Sequence, residues 1–155
     1  MDEMVEDQRF MDLALAQATL AAEMGEVPVG AVVVHRGEVI AQAHNRREVD
    51  ADPTAHAELI AMRDAAKKLG DWRLEECTVY VTLEPCAMCA GLMVNARVPR
   101  CVYAATDPRG GFLGTLGDLS SHPVLNHRFE VTAGIRAEES AEALRSFFRR
   151  VRAKK

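Results

Sequence analysis

The sequence predicts an α/β fold, with a mixed five-stranded sheet that carries helices on both faces. Two observations lead to this prediction. β-rich runs alternate with stretches of helical periodicity in the order helix, hairpin, helix, strand, helix, strand, strand, helix. The 155 residues, 48% of them hydrophobic, are enough to bury one core, and neither a repeat nor a low-complexity linker divides them. We therefore expect a single domain over residues 1–155.

The first helix and the hairpin after it are predicted from periodicity and from two glycines. Apolar residues recur at helical spacing over residues 5–24, and Gly25 follows as a stop. Two β-rich runs, residues 29–34 and 38–43, flank a turn that contains Gly37. These segments predict an amphipathic helix packed on a β-hairpin.

The second helix is expected over residues 55–69, with Thr54 or Asp52 as its N-terminal cap. If so, His56 and Glu58 both lie in its first turn. There the helix dipole and the free backbone amides favour an ionised carboxylate. Both side chains would then face the end of the sheet.

The clearest strand covers residues 78–83, and the next helix begins at the Pro85-Cys86 step and runs to about Ala96. Proline is favourable in a first helical turn, and a thiol there has a lowered pKa, which suits metal binding. Two helix N-termini would thus face one site beside the strand ends, where open α/β sheets usually bind ligands.

The last third of the chain predicts two strands and a closing helix. The strands cover residues 100–105 and 129–132, and a glycine-rich loop over residues 106–123 follows the first of them. The helix covers residues 138–152 and ends in a run of basic residues.

Composition argues for a cytoplasmic protein without a membrane anchor. No apolar run reaches the roughly 20 residues that a transmembrane helix needs, and the first residues are acidic where a signal peptide would be basic. In the cytoplasm thiols stay reduced, so the four cysteines are expected to be metal ligands or core residues. For Cys77 and Cys101, which lie at or in apolar runs, we expect buried core thiols.

The net charge of −4 is unevenly distributed along the chain. Residues 145–155 hold six basic residues and no acid, which leaves −10 for residues 1–144. Such a tail is a candidate phosphate-binding element. A solvated helix end, whose cations favour the C-terminal dipole, explains it equally well.

Three potential metal ligands carry the functional prediction. Cys86 and Cys89 are spaced to share one helix turn, and His56 comes from a separate segment. Structural zinc sites normally have four protein ligands, whereas catalytic sites keep one position for water. Glu58 lies two residues from the imidazole and can approach that water. Together, H-x-E and P-C-x-x-C are typical of zinc nucleobase deaminases.

With these motifs in place, the chain resembles the cytidine deaminase-like superfamily, and within it the bacterial adenosine deaminases that act on tRNA. The resemblance covers roughly residues 8–152. The matching stretches are residues 26–31, 44–46, 52–58, 80–91, 118, 121–123, 126–128 and 146–150. The zinc motifs indicate the superfamily, and the Asn126-His127-Arg128 and Phe147-Phe148-Arg149 stretches indicate the tRNA branch.

The resemblance implies a three-layer α/β/α fold and hydrolytic conversion of adenosine to inosine at the wobble position of a tRNA anticodon. It also implies a homodimer with one zinc ion per subunit. The implied zinc ligands are His56, Cys86 and Cys89. Glu58 matches the family's proton shuttle, Asn45 matches the residue that hydrogen-bonds the flipped base, and Val27 matches a wall of the base pocket.

The resemblance further implies contacts with the tRNA anticodon stem-loop. Asp107 and Asn126 match loop residues that hold neighbouring anticodon nucleotides. Phe148 and Arg149 match the helix end that meets the RNA backbone, and Arg152 continues that basic end. The family often carries lysine where this chain has Arg109.

Other functions share some of these motifs. A deaminase of a free nucleobase or nucleoside, such as guanine or cytosine, would use the same zinc site but would not need the basic helix. A non-catalytic zinc-binding RNA module would need Cys77 or Cys101 as a fourth ligand and would leave Glu58 without a role. A thioredoxin-like redox pair would leave both His56 and Glu58 unexplained.

Overall fold

A computed structural model describes residues 2–154 of the protein and shows the elements in the predicted order. Lys155, part of the basic tail, lies outside the described residues. The helices are α1 (Glu3–Glu23), α2 (Ala57–Leu69), α3 (Ala87–Asn95) and α4 (Ala137–Ala153). The strands are β1 (Gly30–His35), β2 (Glu38–His44), β3 (Cys77–Leu83), β4 (Arg100–Ala105) and β5 (Glu130–Ala133).

The five strands form one mixed sheet in the order β2-β1-β3-β4-β5. β1 is antiparallel to both β2 and β3, whereas β3, β4 and β5 are parallel to one another. α2 and α3 pack on one face of the sheet, and α1 and α4 pack on the other. The predicted α/β class and the three-layer arrangement are therefore confirmed.

Strand alternation divides the core between the two faces. Val33 and Val79 point toward α2 and α3, while their neighbours Val32 and Tyr80 point toward α1. α1 lies very close to β1 at Gly30, where a Cβ atom would lie 2.0 Å from the carbonyl oxygen of Ala14. A larger residue at position 30 would push α1 away from the sheet.

The predicted start of α2 was wrong by two residues. The helix begins at Ala57, and His56 is its N-cap in an extended conformation, with φ −81° and ψ 146°. The Asp52 carboxylate does not cap the helix, because it accepts hydrogen bonds from the backbone nitrogen and hydroxyl of Thr54, at 2.8 and 2.7 Å. Of the two predicted first-turn residues, only Glu58 lies in that turn.

The start of α3 also lies later in the chain than predicted. The helix begins at Ala87 with Cys86 as N-cap, so Pro85 precedes the helix and does not lie in its first turn. Both helices thus begin directly after a potential metal ligand that stands in extended conformation. Within residues 2–154, none of the helices is both long enough and apolar enough to span a membrane.

Candidate active site

His56, Cys86 and Cys89 come together at the N-terminal ends of α2 and α3. The Nδ1 atom of His56 lies 3.7 Å from the Sγ atom of Cys86 and 3.7 Å from that of Cys89. Tetrahedral zinc, with bonds of about 2.0–2.3 Å, places its ligand atoms roughly 3.5–3.8 Å apart. The three side chains therefore fit a zinc ion, and among the described residues no further His, Cys, Asp or Glu joins the group.

The pKa values of the two thiols depend on each other, because the thiols are joined by a hydrogen bond. A hydrogen bond from Cys89, supported by one from His56, lowers the pKa of Cys86 to about 3. The same thiol pairing raises the pKa of Cys89, and the hydrogen bond with Cys86 raises the pKa of His56. The lowered pKa favours the thiolate form of Cys86, which is the form that binds metals.

Glu58 lies beside the ligand group but does not belong to it. Its side chain projects from the first turn of α2, and the residue is only 3% exposed. Burial, which disfavours the charged form, raises the pKa of the Glu58 carboxyl to about 7. Such a group exchanges protons readily near neutral pH, as a general base and acid must.

A cavity of about 160 Å³ opens at this site. It is lined by the potential ligands His56 and Cys86 and by four other predicted residues, namely Val27, Asn45, Glu58 and Asp107. An engineered cavity of about 150 Å³ is known to hold benzene, so there is room for one flat ring system.

Asn45 is held at the cavity wall by two hydrogen bonds. Its Nδ2 donates to the carbonyl oxygen of Val27 at 3.3 Å, and its Oδ1 accepts from the backbone nitrogen of Arg47 at 3.2 Å. A primary amide has two N–H donors and two acceptor lone pairs, so one of each remains for a ligand. Asn45 can therefore present a paired donor and acceptor in a fixed orientation.

The other predicted substrate-binding residues lie away from the cavity. Asn126 is exposed in the loop between β4 and β5, and Phe148, Arg149 and Arg152 are exposed on the last turns of α4. Phe148 packs edge-on against the buried Phe147, with ring centroids 5.4 Å apart. These residues can contact only parts of a substrate that extend beyond the cavity.

The basic tail is less positive than the sequence count indicates. Arg145 pairs with Glu138 at 2.7 Å and with Glu142 at 2.9 Å, and Arg149 pairs with Glu142 at 2.9 Å. These acids lie upstream of residue 145 and were therefore outside the counted segment. Among the described residues, the cations of this tail without an ion-pair partner are Arg150, Arg152 and Lys154.

Sequence reasoning missed three residues at the site. Arg47 lines the cavity next to Asn45, and Glu84 lines it next to Cys86. Glu26, only 1% exposed, accepts hydrogen bonds from the backbone nitrogens of Glu48 and Val49 and so holds the loop that follows Asn45. For Glu26 and Glu84 the sequence offered one indication, since each is an acidic residue directly beside an apolar one, Val27 or Leu83.

Cys77 and Cys101 are core residues, as predicted. Both are fully buried and free, and burial raises the pKa of Cys77 to about 11 and also raises that of Cys101. Neither belongs to the ligand group that the described residues form. The closed four-ligand site that a non-catalytic zinc module requires is therefore contradicted.

Comparison with known proteins agrees with this geometry. The family model of the MafB19-like deaminases matches residues 5–152. A tRNA-specific adenosine deaminase of Bacillus subtilis is 49% identical over 152 residues, which cover 98% of this chain and 94% of the relative.

Two solved structures are also similar to this chain. One, from a study of A-to-I editing by tRNA:A34 deaminases at the wobble position, has a TM-score of 0.85 and 46% identity, and covers 88% of this chain and 99% of its own. A guanine deaminase of Nitrosomonas europaea, at 24% identity and a TM-score of 0.78 over 90% and 83% of the two chains, shares the fold. This chain belongs to the MafB19-like deaminases and to the family of the tRNA-specific adenosine deaminases.

Proposed function

We propose that this protein is a zinc-dependent enzyme that converts adenosine to inosine at the wobble position of a tRNA anticodon. The observation that carries the chemistry is the three-ligand group His56, Cys86 and Cys89, of which His56 and Cys86 line one cavity with the buried carboxylate of Glu58. The family supports the substrate, because the Bacillus subtilis relative is a tRNA-specific adenosine deaminase.

The three protein side chains would leave one coordination position of a zinc ion for a water molecule. His56, Cys86 and Cys89 would hold a zinc ion with three protein ligands, which is the number that catalytic zinc sites have. A zinc ion held by these residues would lower the pKa of a water molecule to about 7 and would so supply a nucleophile at neutral pH. We propose one zinc ion per subunit.

Glu58 moves the protons of the reaction. It accepts a proton from the attacking water and delivers it to N1 of the adenine ring, which activates C6. The second water proton then goes to the departing amine, so that adenosine and water give inosine and ammonia. Asn45 and Val27 hold the base in the cavity, with its edge toward the Asn45 amide.

The residues outside the cavity are proposed to bind the rest of the anticodon stem-loop. Asp107, at the cavity rim, and Asn126, on the exposed loop, would hold the nucleotides that flank the target base. The exposed end of α4 would meet the RNA backbone through Phe148, Arg149 and Arg152. An anticodon loop favours this arrangement, because its bases are already partly unstacked and cost less to flip.

The unpaired cations of α4 are expected to matter more for RNA binding than the paired ones. Replacing Arg152 with alanine should weaken stem-loop binding. It should also make the negative slope of the logarithm of the binding constant against the logarithm of the salt concentration shallower by about 0.7. Arg145→Ala is the matched control, because Glu138 and Glu142 already occupy that guanidinium. Binding titrations at several salt concentrations would measure both slopes. Equal effects of the two substitutions would contradict the proposed RNA contact of Arg152.

We also propose that residues 1–155 form one domain, that two copies associate as a homodimer, and that the tRNA substrate places the enzyme in the cytoplasm. Trp72, 54% exposed, borders an apolar hollow between α2 and α3, which suits burial against a second copy. Other residues of the hollow include Leu59, Met62, Leu74 and Leu92. Sedimentation at assay concentrations should give the mass of a dimer, and a monomer would contradict this part of the proposal.

The substrate class is tested by parallel incubations of the zinc-loaded protein. One contains an anticodon stem-loop with adenosine at the wobble position, and the others contain free adenosine, cytosine or guanine. We expect inosine from the stem-loop and no ammonia from the free compounds. Ammonia from a free base with an inert stem-loop would keep the zinc chemistry and overturn the RNA assignment.

A further inference from the structure

Glu84 is a buried carboxylate whose hydrogen bonds all come from one loop. Its Oε1 accepts from the backbone nitrogen of Asp107 at 3.0 Å and from the hydroxyl of Thr115. Its Oε2 accepts from the backbone nitrogens of Leu113 at 3.0 Å and Thr115 at 3.1 Å. We call residues 107–115 the rim loop, because Asp107 lines the cavity rim.

These four donors satisfy the carboxylate completely. An ionised carboxyl group offers about four acceptor positions, and each is filled from the rim loop. Glu84 is only 2% exposed, and it forms no ion pair with the residues that the structure describes. Because an unsatisfied buried charge is strongly unfavourable, the charge and the loop conformation stabilise each other.

The rim loop is also fitted closely around this side chain. A Cβ atom on Gly111 would lie 2.3 Å from Cδ and Oε1 of Glu84, so only glycine allows the loop backbone to come this near. Next in the chain, the backbone nitrogen of Phe112 donates to the carbonyl oxygen of Pro85 at 2.9 Å. The loop is thus attached at Glu84 and at Pro85 to the segment that leads into Cys86.

We propose that Glu84 is a positioning residue for substrate recognition, which fixes the rim loop relative to the metal ligands before RNA binds. Glu84 stands two residues before Cys86 in the chain, and it holds Asp107 by its backbone at the cavity rim. The group does not act in the chemical step. It sets the distance between the reacting base and the loop that meets the neighbouring nucleotides, and this inference rests on the proposed function.

The test compares Glu84→Gln with the wild-type zinc enzyme on the anticodon stem-loop. The amide places an N–H where the rim loop also presents donors, so the loop should detach. We expect KM to rise roughly tenfold or more, because hydrogen bonds to a charged group are lost, while kcat changes less than about threefold. Thr115→Val removes a single donor and should raise KM by about threefold.

A second measurement follows the loop without any substrate. Hydrogen exchange in the free protein should show lost protection of the Leu113 and Thr115 amides in Glu84→Gln, with the sheet amides unchanged. Asp7→Asn is the matched control, since Asp7 is also a buried carboxylate, bound to Tyr80 and Arg100 on the other face of the sheet. It should lower stability without changing KM or rim-loop exchange.

The outcomes separate this inference from the proposed function. Wild-type protein that is inert on the stem-loop would overturn the proposed function, and the inference with it. An active wild type with unchanged KM in Glu84→Gln would overturn the inference alone. If Glu84→Gln fails to fold, Thr115→Val decides in its place, and a KM equal to that of the wild type would overturn the inference. An equal rise of KM in Asp7→Asn would also overturn it, because the effect would then be general destabilisation.

Discussion

Replacing Glu58 with glutamine should lower kcat for deamination by roughly 10²- to 10⁴-fold while zinc content stays unchanged. Glutamine keeps the size of the side chain but cannot carry a proton between the attacking water, N1 of adenine and the leaving amine. Zinc should remain because Glu58 lies outside the ligand group. The buried position of Glu58 also means that bulk water has little access to replace it.

Single-turnover assays on the anticodon stem-loop and metal analysis of the same sample would check this prediction. Glu38→Gln is a suitable control, because this exposed glutamate begins β2, at the end of the strand opposite His44, and does not line the cavity. Activity of Glu58→Gln close to that of the wild type would show that another group moves the protons. Loss of zinc would instead show that Glu58 supports the metal.

The second large effect is expected from Cys86→Ala. It removes one of the three potential ligands, and both zinc content and deamination should fall to background. Cys101→Ala is the matched control, because Cys101 is equally a free cysteine but lies in the core and outside the ligand group.

Metal analysis after dialysis, with activity measured before and after zinc is added back, would compare Cys86→Ala with Cys101→Ala. Cys101→Ala should keep about one zinc ion per chain, as a three-ligand site requires. Zinc retained at the wild-type level by Cys86→Ala would contradict the ligand assignment. Zinc lost from Cys101→Ala would restore the four-ligand alternative.

The order of the helices and strands could be predicted because it depends on local pattern. β-rich runs, helical periodicity and glycines lie within a few residues of what they determine, and the strand over Arg100–Ala105 was predicted with its observed bounds. The first residues of the helices were harder to predict from the sequence. Asp52 could accept hydrogen bonds either from the first turn of α2 or from Thr54, and composition alone does not show that those from Thr54 form.

The grouping of His56, Cys86 and Cys89 beside Glu58 could be predicted because the spacing of such residues is constrained by the chemistry they serve. Glu84 could not be predicted, since its hydrogen-bond partners lie 23 to 31 residues further along the chain. The charge of the tail was overestimated for a related reason. Arg145 and Arg149 form ion pairs with glutamates one or two turns upstream in α4. A count of the charges in one segment therefore does not show which cations are free to bind a partner.

The most direct measurement of the proposed function uses a single stem-loop with adenosine at the wobble position and at other positions of the same loop. After incubation with the zinc-loaded protein, mass spectrometry of nuclease fragments locates each inosine. We predict inosine at the wobble position alone, because the cavity admits one base while the rim loop and α4 fix the register of the RNA. Inosine spread over the loop, or none while a free base releases ammonia, would contradict it.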